Sequence, residues 1–486
     1  MHQKLTSPRF SVVRSLSLDG RHIILWMRQI ALPCLLLLCA ANALFLAVRF
    51  ADNLISKQAV GASLREGYED GSMTVLSYPH NMLIGRDQYS DCIVAQIAAL
   101  GDPDPIRDAI APRLLAAEQV GADMAPLRRY PCLDLKTYVD GRYPEVPAAT
   151  YTRFWHGASS VLAIALSYLP VDGYRALLLN LTLGLIALTA VAAALAGPRL
   201  LIGLSPLLIT SFAFNGQLGY GQLFGYGPAQ VALWATAAFI LLCRKRMSPR
   251  NLLLLAVLSG AFEAFFDQLI SPPLVLMTFV IVAHLVWDVR VDQRGFRKAL
   301  GNCLALFAAW SFGFLGSYAF KLVLTIAALG WSPLHEMAQQ LAFRVGTVDA
   351  EYGYHARDHI SRWSMLGDNF VALLGNSWRL GYTGGKAGAA DALISCTVGW
   401  TGWVLAFYRL FKLPANQRLQ FVTAGIPYLV ASVFMILWVI ALPEHTMRHA
   451  FFMVRSATIW ITGGWGWLCV ARMGVAASRI SADARV

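Results

Sequence analysis

Residues 30–48 read IALPCLLLLCAANALFLAV, from Ile30 to Val48 without one charged side chain. Rising about 1.5 Å per residue as a helix, such a run spans roughly 28 Å, close to the thickness of a bilayer's hydrocarbon core. Before it stand Lys4, Arg9, Arg14, Arg21 and Arg28 against the single acid Asp19. The run is too long for the core of a cleaved signal peptide, and no small-residue cleavage pattern closes it. It reads as an uncleaved signal anchor with the basic residues 1–29 held in the cytoplasm.

The rest of the chain follows the same solvent. Apolar residues make up 57% of the 486 positions and charged residues 14%, where a soluble chain carries about 25% charge. Mean hydropathy is +0.53. Further spans are expected near 174–197, 200–214, 227–243, 251–269, 272–289, 299–328, 387–408, 420–442 and 449–471, giving about ten transmembrane helices with the anchor. Residues 157–169, closed by Pro170, are too short to cross and suit a half-inserted or interfacial helix. The fold class is therefore an all-α polytopic membrane protein with a large extracytoplasmic first loop.

Charge placement orients this threading. The net charge of +12 divides into 20 Lys/Arg and 4 acids on the cytoplasmic side, counting Asp288 at the inner end of its span, and 20 and 24 elsewhere. The cytoplasmic surplus is +16 and the remainder −4, as the positive-inside rule requires. The basic balance thus fixes orientation and does not signal nucleic acid. The chain divides into the N-terminus 1–29, the anchor 30–49, an exported loop domain 50–156, a membrane core 157–330, an outer loop 331–386, C-terminal spans 387–471 and a cytoplasmic tail 472–486.

The exported loop carries ten Lys/Arg and fourteen Asp/Glu between Phe50 and Arg153. A loop of that length needs its own structure. The spacing of Ile93, Ile97 and Ala98, and then of Ile106, Ile110, Leu114 and Leu115, predicts short amphipathic helices along the membrane surface. Six of the eight cysteines lie in or beside spans; the other two, Cys92 and Cys132, share this loop and can either pair in an oxidising compartment or remain free.

Chemistry-bearing residues collect on the outer side. Seven of the ten histidines fall there. Asp87 and Asp91 lie one turn apart at the start of a helix, a spacing that suits general-base work or plain capping. Arg153 and His156 stand among Tyr151, Phe154 and Trp155, where the loop re-enters the membrane. The turn 215–227 offers Asn215 and Gln217 among glycines and tyrosines, a composition suited to sugar hydroxyls or simply to turning. Glu263 and Asp267 share one face of a span beside Phe262, Phe265 and Phe266, placing carboxylates at membrane depth.

Two basic clusters complete the set. The loop 331–386 holds Arg344, His355, Arg357, His359, Arg362, Trp363, Trp378, Arg379 and Lys386. His445, Arg448, His449 and Phe452 share a helix face, with Arg455 two turns below Arg448. That stripe suits a lipid-linked phosphate. His445 and His449 have the spacing of a zinc pair but lack a companion Glu, so no metal site is assigned. Phosphate-cradling loops, dinucleotide fingerprints and nucleophile elbows are absent from the sequence.

The order of these features resembles the type C glycosyltransferases: an anchor, an outer loop opening with Arg86-Asp87-Gln88-Tyr89 and a short helix, then re-entry through residues 151–157. Those enzymes are polytopic and use polyprenyl-phosphate sugars on the outer membrane face. Their first loop often carries an Asp-Glu-x-x-Tyr stretch; here Gln88 stands where the pattern has Glu, and Tyr89 follows two places after Asp87. The resemblance covers mainly residues 30–270. It implies an inverting sugar transfer to a glycan, lipid or protein acceptor at a bacterial inner membrane, with Asp87 as base and Asp91 or His156 orienting it. Arg448, His449, Arg455, Arg344 and Arg153 would hold the donor phosphate, and Glu263, Asp267, Asn215, Gln217 and His445 the sugar. No cofactor is required beyond an optional divalent cation, Mg or Mn. A polysaccharide polymerase or ligase, or a transporter of lipid-linked saccharides, is the alternative.

Overall fold

The computed structural model describes residues 27–76, 88–115, 131–142, 148–152, 154–213, 221–266, 272–291, 295–345, 386–443, 446 and 459–471. They are overwhelmingly helical. After a short π-helical turn, Met27–Ala31, the chain forms α1 (Leu32–Asp52), α2 (Lys57–Glu69), α3 (Gln88–Leu100), α4 (Pro105–Ile110), α5 (Pro131–Val139), α6 (Gly157–Leu166), α7 (Val171–Ala196) and α8 (Pro198–Ala213). It continues with α9 (Gly227–Leu242), α10 (Pro249–Phe266), α11 (Pro272–Val291), α12 (Phe296–Leu329), α13 (Ser332–Val345), α14 (Lys386–Lys412), α15 (Ala415–Ala441) and α16 (Ile459–Ala471).

Among the described residues, five helices are long and apolar enough to cross a membrane: Gln29–Asp52, α7, α10, α12 and α15. That is half the ten crossings expected from the sequence. The expected segments 200–214 and 227–243 fall on apolar helices of 16 residues each, and 272–289 lies within the 20-residue α11. The described part of 449–471 is the helix Ile459–Ala471, and 387–408 falls within the 27-residue α14. The all-α membrane character stands.

Local signals place the boundaries. Proline begins α4, α8, α10 and α11, where a missing N–H costs nothing. Ser56 caps α2 by accepting the Ala59 N–H, and Asp104 caps α4 by accepting those of Ile106 and Arg107. Gly197, at φ 124°, turns the chain from α7 into α8.

The helices pack in a consistent set of directions. Leu38 meets Gly316, and Asn42 donates to Ser317 at 3.2 Å, so α1 and α12 run parallel. Phe45 stacks on Phe265 at 4.2 Å and also meets Phe262, bringing α10 onto α1. Gly260 lies against the Trp310 carbonyl and Gly313 against the Val257 carbonyl, leaving no room for a side chain where α10 crosses α12. In the C-terminal group Trp467 contacts Gly425, Gly466 contacts Tyr428 and Gly463 contacts Ser432, so α16 runs antiparallel to α15.

The polar segment after α1 folds into a small domain. Val60, Leu64, Cys92, Val94, Ala95, Leu135 and Val139 share one buried core with Leu162 and Ala163 of α6, Tyr174 of α7 and Phe224. Cys92 and Cys132 form a disulfide within it. Its shape corrects two expectations. Helix α3 is buried on most of its surface rather than lying amphipathically on a membrane face, because its own Cys92, Val94, Ala95, Ala98 and Ala99 all enter the domain core while Asp91 and Gln96 are satisfied internally. Residues 106–115 are not one helix either. The six-residue α4 gives way to β1 (Arg113–Leu115), which pairs antiparallel with β2 (Ala148–Thr150). Three-residue strands leave too few positions for a periodic signal.

Candidate functional site

Three of the expected site residues carry described side chains: Asp91, His156 and Glu263. Arg344 lies on α13, but its side chain is outside what is described; Asp87, Arg153, Asn215, Gln217, Asp267, His445, Arg448, His449 and Arg455 lie outside the described residues. The three do not share one set of partners.

Asp91, in the first turn of α3, is fully buried. Its Oδ2 lies 3.2 Å from Arg175 on α7, and its Oδ1 accepts the Phe224 N–H at 2.7 Å. Arg175 also donates to the Ser72 carbonyl and stacks over the Phe224 ring at 4.9 Å. The carboxylate therefore ties the polar domain to a spanning helix and to the turn before α9. Burial raises its pKa to about 6, against the lowering effect of Arg175 and of the Phe224 and Gly225 backbone N–H groups. A carboxylate so enclosed is better placed to position its neighbours than to receive a substrate proton.

His156 lies at the seam between the polar domain and the spanning helices. It precedes α6 in a left-handed conformation, φ 60°, the only non-glycine residue to do so among the described residues. Its neighbours impose this. Trp155 donates to the Ser317 carbonyl at 3.0 Å and packs with Phe45, Phe265 and Phe320, while Gly157 presses against the Phe265 ring, where a side chain would collide. The Trp155-His156-Gly157 sequence is thus a wedge driven among α1, α10 and α12. The imidazole is buried, faces Tyr151 with ring centres 4.9 Å apart, and makes no well-aligned hydrogen bond from either ring nitrogen among the described residues. Burial lowers its pKa well below the usual range, Arg49 and Lys321 lower it further, and the Tyr151 backbone opposes them.

Around that wedge is a polar cluster that the sequence did not disclose. Arg49, at the end of α1 and fully buried, donates to Asp52 at 2.8 Å, Ser160 at 2.9 Å and Ser159 at 3.1 Å, and to the Asp108 carbonyl at 3.1 Å. Asp52 also takes Lys57 at 3.0 Å. Asp108 is buried with its Oδ2 3.9 Å from Arg49 and neither oxygen hydrogen-bonded among the described residues. Burial raises its pKa, while Arg49 and Lys57 pull it down. Lys321 lies within α12, buried, with its Nζ 5.6 Å from the centre of the Trp155 ring and no hydrogen-bond acceptor among the described residues. A lone cation within an apolar span was the available signal for Lys321. Asp108 gave none, because its role depends on docking α4 against α1.

Glu263 stands apart from this cluster. It is buried in α10 and lines a small cavity with Thr236, Ser259 and Phe262. Among the described residues no group of three or more His, Cys, Asp or Glu side chains converges to hold a metal ion. No protein-family model matches this chain, and no curated protein or solved structure matches it either.

Proposed function

We propose that this chain is an integral membrane glycosyltransferase that moves a sugar from a polyprenyl-phosphate donor to a cell-envelope glycan, lipid or protein acceptor on the extracytoplasmic face. The observation that carries the reading is the ionisable cluster where the disulfide-bonded domain meets parallel apolar helices. Buried charges at membrane level are costly and usually serve a substrate or ion. Arg49, Asp52, Asp108, His156 and Lys321 all lie at that junction.

Orientation follows from several supports. A disulfide belongs to an oxidising compartment, so Cys92–Cys132 favours an exported domain. The parallel course of α1 and α12 and the antiparallel course of α15 and α16 suit helices that cross a membrane, and five described helices are long and apolar enough to do so. The localisation we propose is a bacterial inner membrane.

In this mechanism Asp87 removes the acceptor proton as the glycosyl bond breaks with inversion, and the departing phosphate needs no strong acid. Arg448, His449, Arg455, Arg344 and Arg153 would neutralise the phosphate, and Glu263, Asp267, Asn215, Gln217 and His445 would contact sugar hydroxyls. Asp91 positions the domain that bears Asp87, a role its ion pair with Arg175 supports. A divalent cation, Mg or Mn, enters no step of this mechanism.

The test is transfer of label from polyprenyl-phosphate sugars by membranes containing the chain. Asp87→Asn should reduce transfer by about 100-fold or more, the scale of general-base catalysis. Full activity in that variant overturns the assignment. Activity lost instead through combined Arg344 and Arg357 replacement would favour a polymerase or ligase. Movement of intact donor across vesicles without transfer would favour a transporter.

A further inference from the structure

Among the described residues, Lys321 Nζ and Arg49 Nε are buried atoms without a hydrogen-bond partner, and the His156 ring nitrogens make no well-aligned hydrogen bond. The three meet around one stretch of chain: Lys321 lies over Trp155, His156 follows it, and Arg49 bonds Ser159 and Ser160 just beyond. The carboxylates of the cluster are committed elsewhere. Asp52 is shared by Arg49 and Lys57, and Asp108 faces Arg49. Lys321 is thus a buried amine with an aromatic face as neighbour and no carboxylate within ion-pair distance among the described residues. Its ammonium form is strongly destabilising there unless an anion completes its surroundings.

We propose that Lys321, His156 and Arg49 form a binding site for a phosphate ester at the seam between the polar domain and α12. The argument is one of matching donors. An ammonium supplies up to three N–H groups, an imidazole one or two, and the free Nε of a guanidinium one more; a phosphate monoester offers three terminal oxygens to take them. Trp155, under Lys321, keeps water from the cation, and the left-handed turn at His156 holds the imidazole beside it. Thr152, four residues before His156, donates to Glu336 of α13 at 3.4 Å. This site does not depend on sugar transfer. Its ligand is the phosphate ester of an isoprenoid lipid, of a phospholipid headgroup, or free phosphate.

The full chain in lipid nanodiscs, titrated separately with a ten-carbon isoprenyl monophosphate, a short-chain phosphatidic acid and inorganic phosphate, distinguishes these sources. Lys321→Met should weaken whichever probe binds by roughly 10- to 100-fold, the loss of a charge-assisted contact. In the absence of probe it should raise the thermal midpoint, because a buried unpaired cation has been removed. Lys321→Arg should bind within a few-fold of the wild type, and His156→Gln should lie between the two. If no probe binds the wild type, or if Lys321→Met binds as tightly as wild type, the site does not exist. Loss of probe binding in Lys321→Met with transfer activity unchanged would support this site as separate from the glycosyltransferase reading. Loss of transfer in Asp87→Asn, with phosphate binding unchanged, separates the two in the other direction.

Discussion

Asp91 and Arg175 form an ion pair at 3.2 Å across 84 residues of sequence, with both side chains shielded from water. One comes from α3 of the polar domain, the other from the long apolar helix α7. Their contact, reinforced by the Phe224 N–H, holds the domain on the membrane helices.

Breaking that pair should be costly and non-additive. Asp91→Asn leaves the Arg175 charge buried, and Arg175→Met leaves the carboxylate so; each should destabilise by about 3–5 kcal/mol. The double replacement should cost less than the two losses added, since no charge is then stranded. Denaturant unfolding, read by protease protection of the Gln88–Leu100 helix, measures all three. Strict additivity would mean that the two residues act independently.

Stability should also carry a pH signature of Asp91. Its folded pKa is raised to about 6, above the ordinary value near 3.9, because burial penalises the ionised form. The folded state therefore holds the proton more tightly than the unfolded state. The contribution of Asp91 is most favourable below pH 4 and is lost as pH rises through about 6. The stability difference between wild type and Asp91→Asn, followed from pH 4 to pH 8, should change up to about pH 6 and stay flat above it. A change confined to lower pH would place the folded pKa at or below its ordinary value.

Cys92 and Cys132 close a loop of 40 residues. In the chain-entropy account, opening such a loop costs about 4 kcal/mol. Replacing both by Ala should lower the stability of the polar domain by that order while leaving α12 and α15 helical. Circular dichroism with limited proteolysis resolves the two regions. An unchanged protease pattern under reducing conditions would show that the domain does not rely on the bridge.

At the α10–α12 crossing, Gly260 and Gly313 each face a backbone carbonyl of the other helix. Gly260→Ala should force the helices apart at a cost of about 1–3 kcal/mol. Gly61→Ala, with open space around it on α2, should instead gain up to about 1 kcal/mol from helix propensity. Thermal midpoints of the two variants in one detergent compare them. A similar response at both positions would indicate that close backbone approach does not govern the crossing.

The membrane class and the positions of the helices were legible because hydropathy and proline punctuation are local properties. The described parts of the segments expected to cross fall on helices, from Leu32–Asp52 to Ile459–Ala471. Span length was less legible, since hydropathy marks an apolar run and not the helix ends. The expected span 200–214, for example, falls on α8, which carries Pro206 within it. At the candidate site, His156 was visible through its aromatic neighbours, and Asp91 through helical spacing. That Asp91 is an internal clamp could not be read, because its partners Arg175 and Phe224 come from distant segments.

The sequence by itself determined the membrane-like apolar character, the helical class and the polar segment after α1, all of which follow from the order of apolar and charged residues along the chain. Tertiary structure alone decided which charges meet. Arg49 reaches Asp108 and Ser160, and Lys321 sits over Trp155, only when α1, α4, α6 and α12 pack together. Electrostatic interaction depends on separation in space and on exclusion of water, and neither is encoded by spacing along the chain.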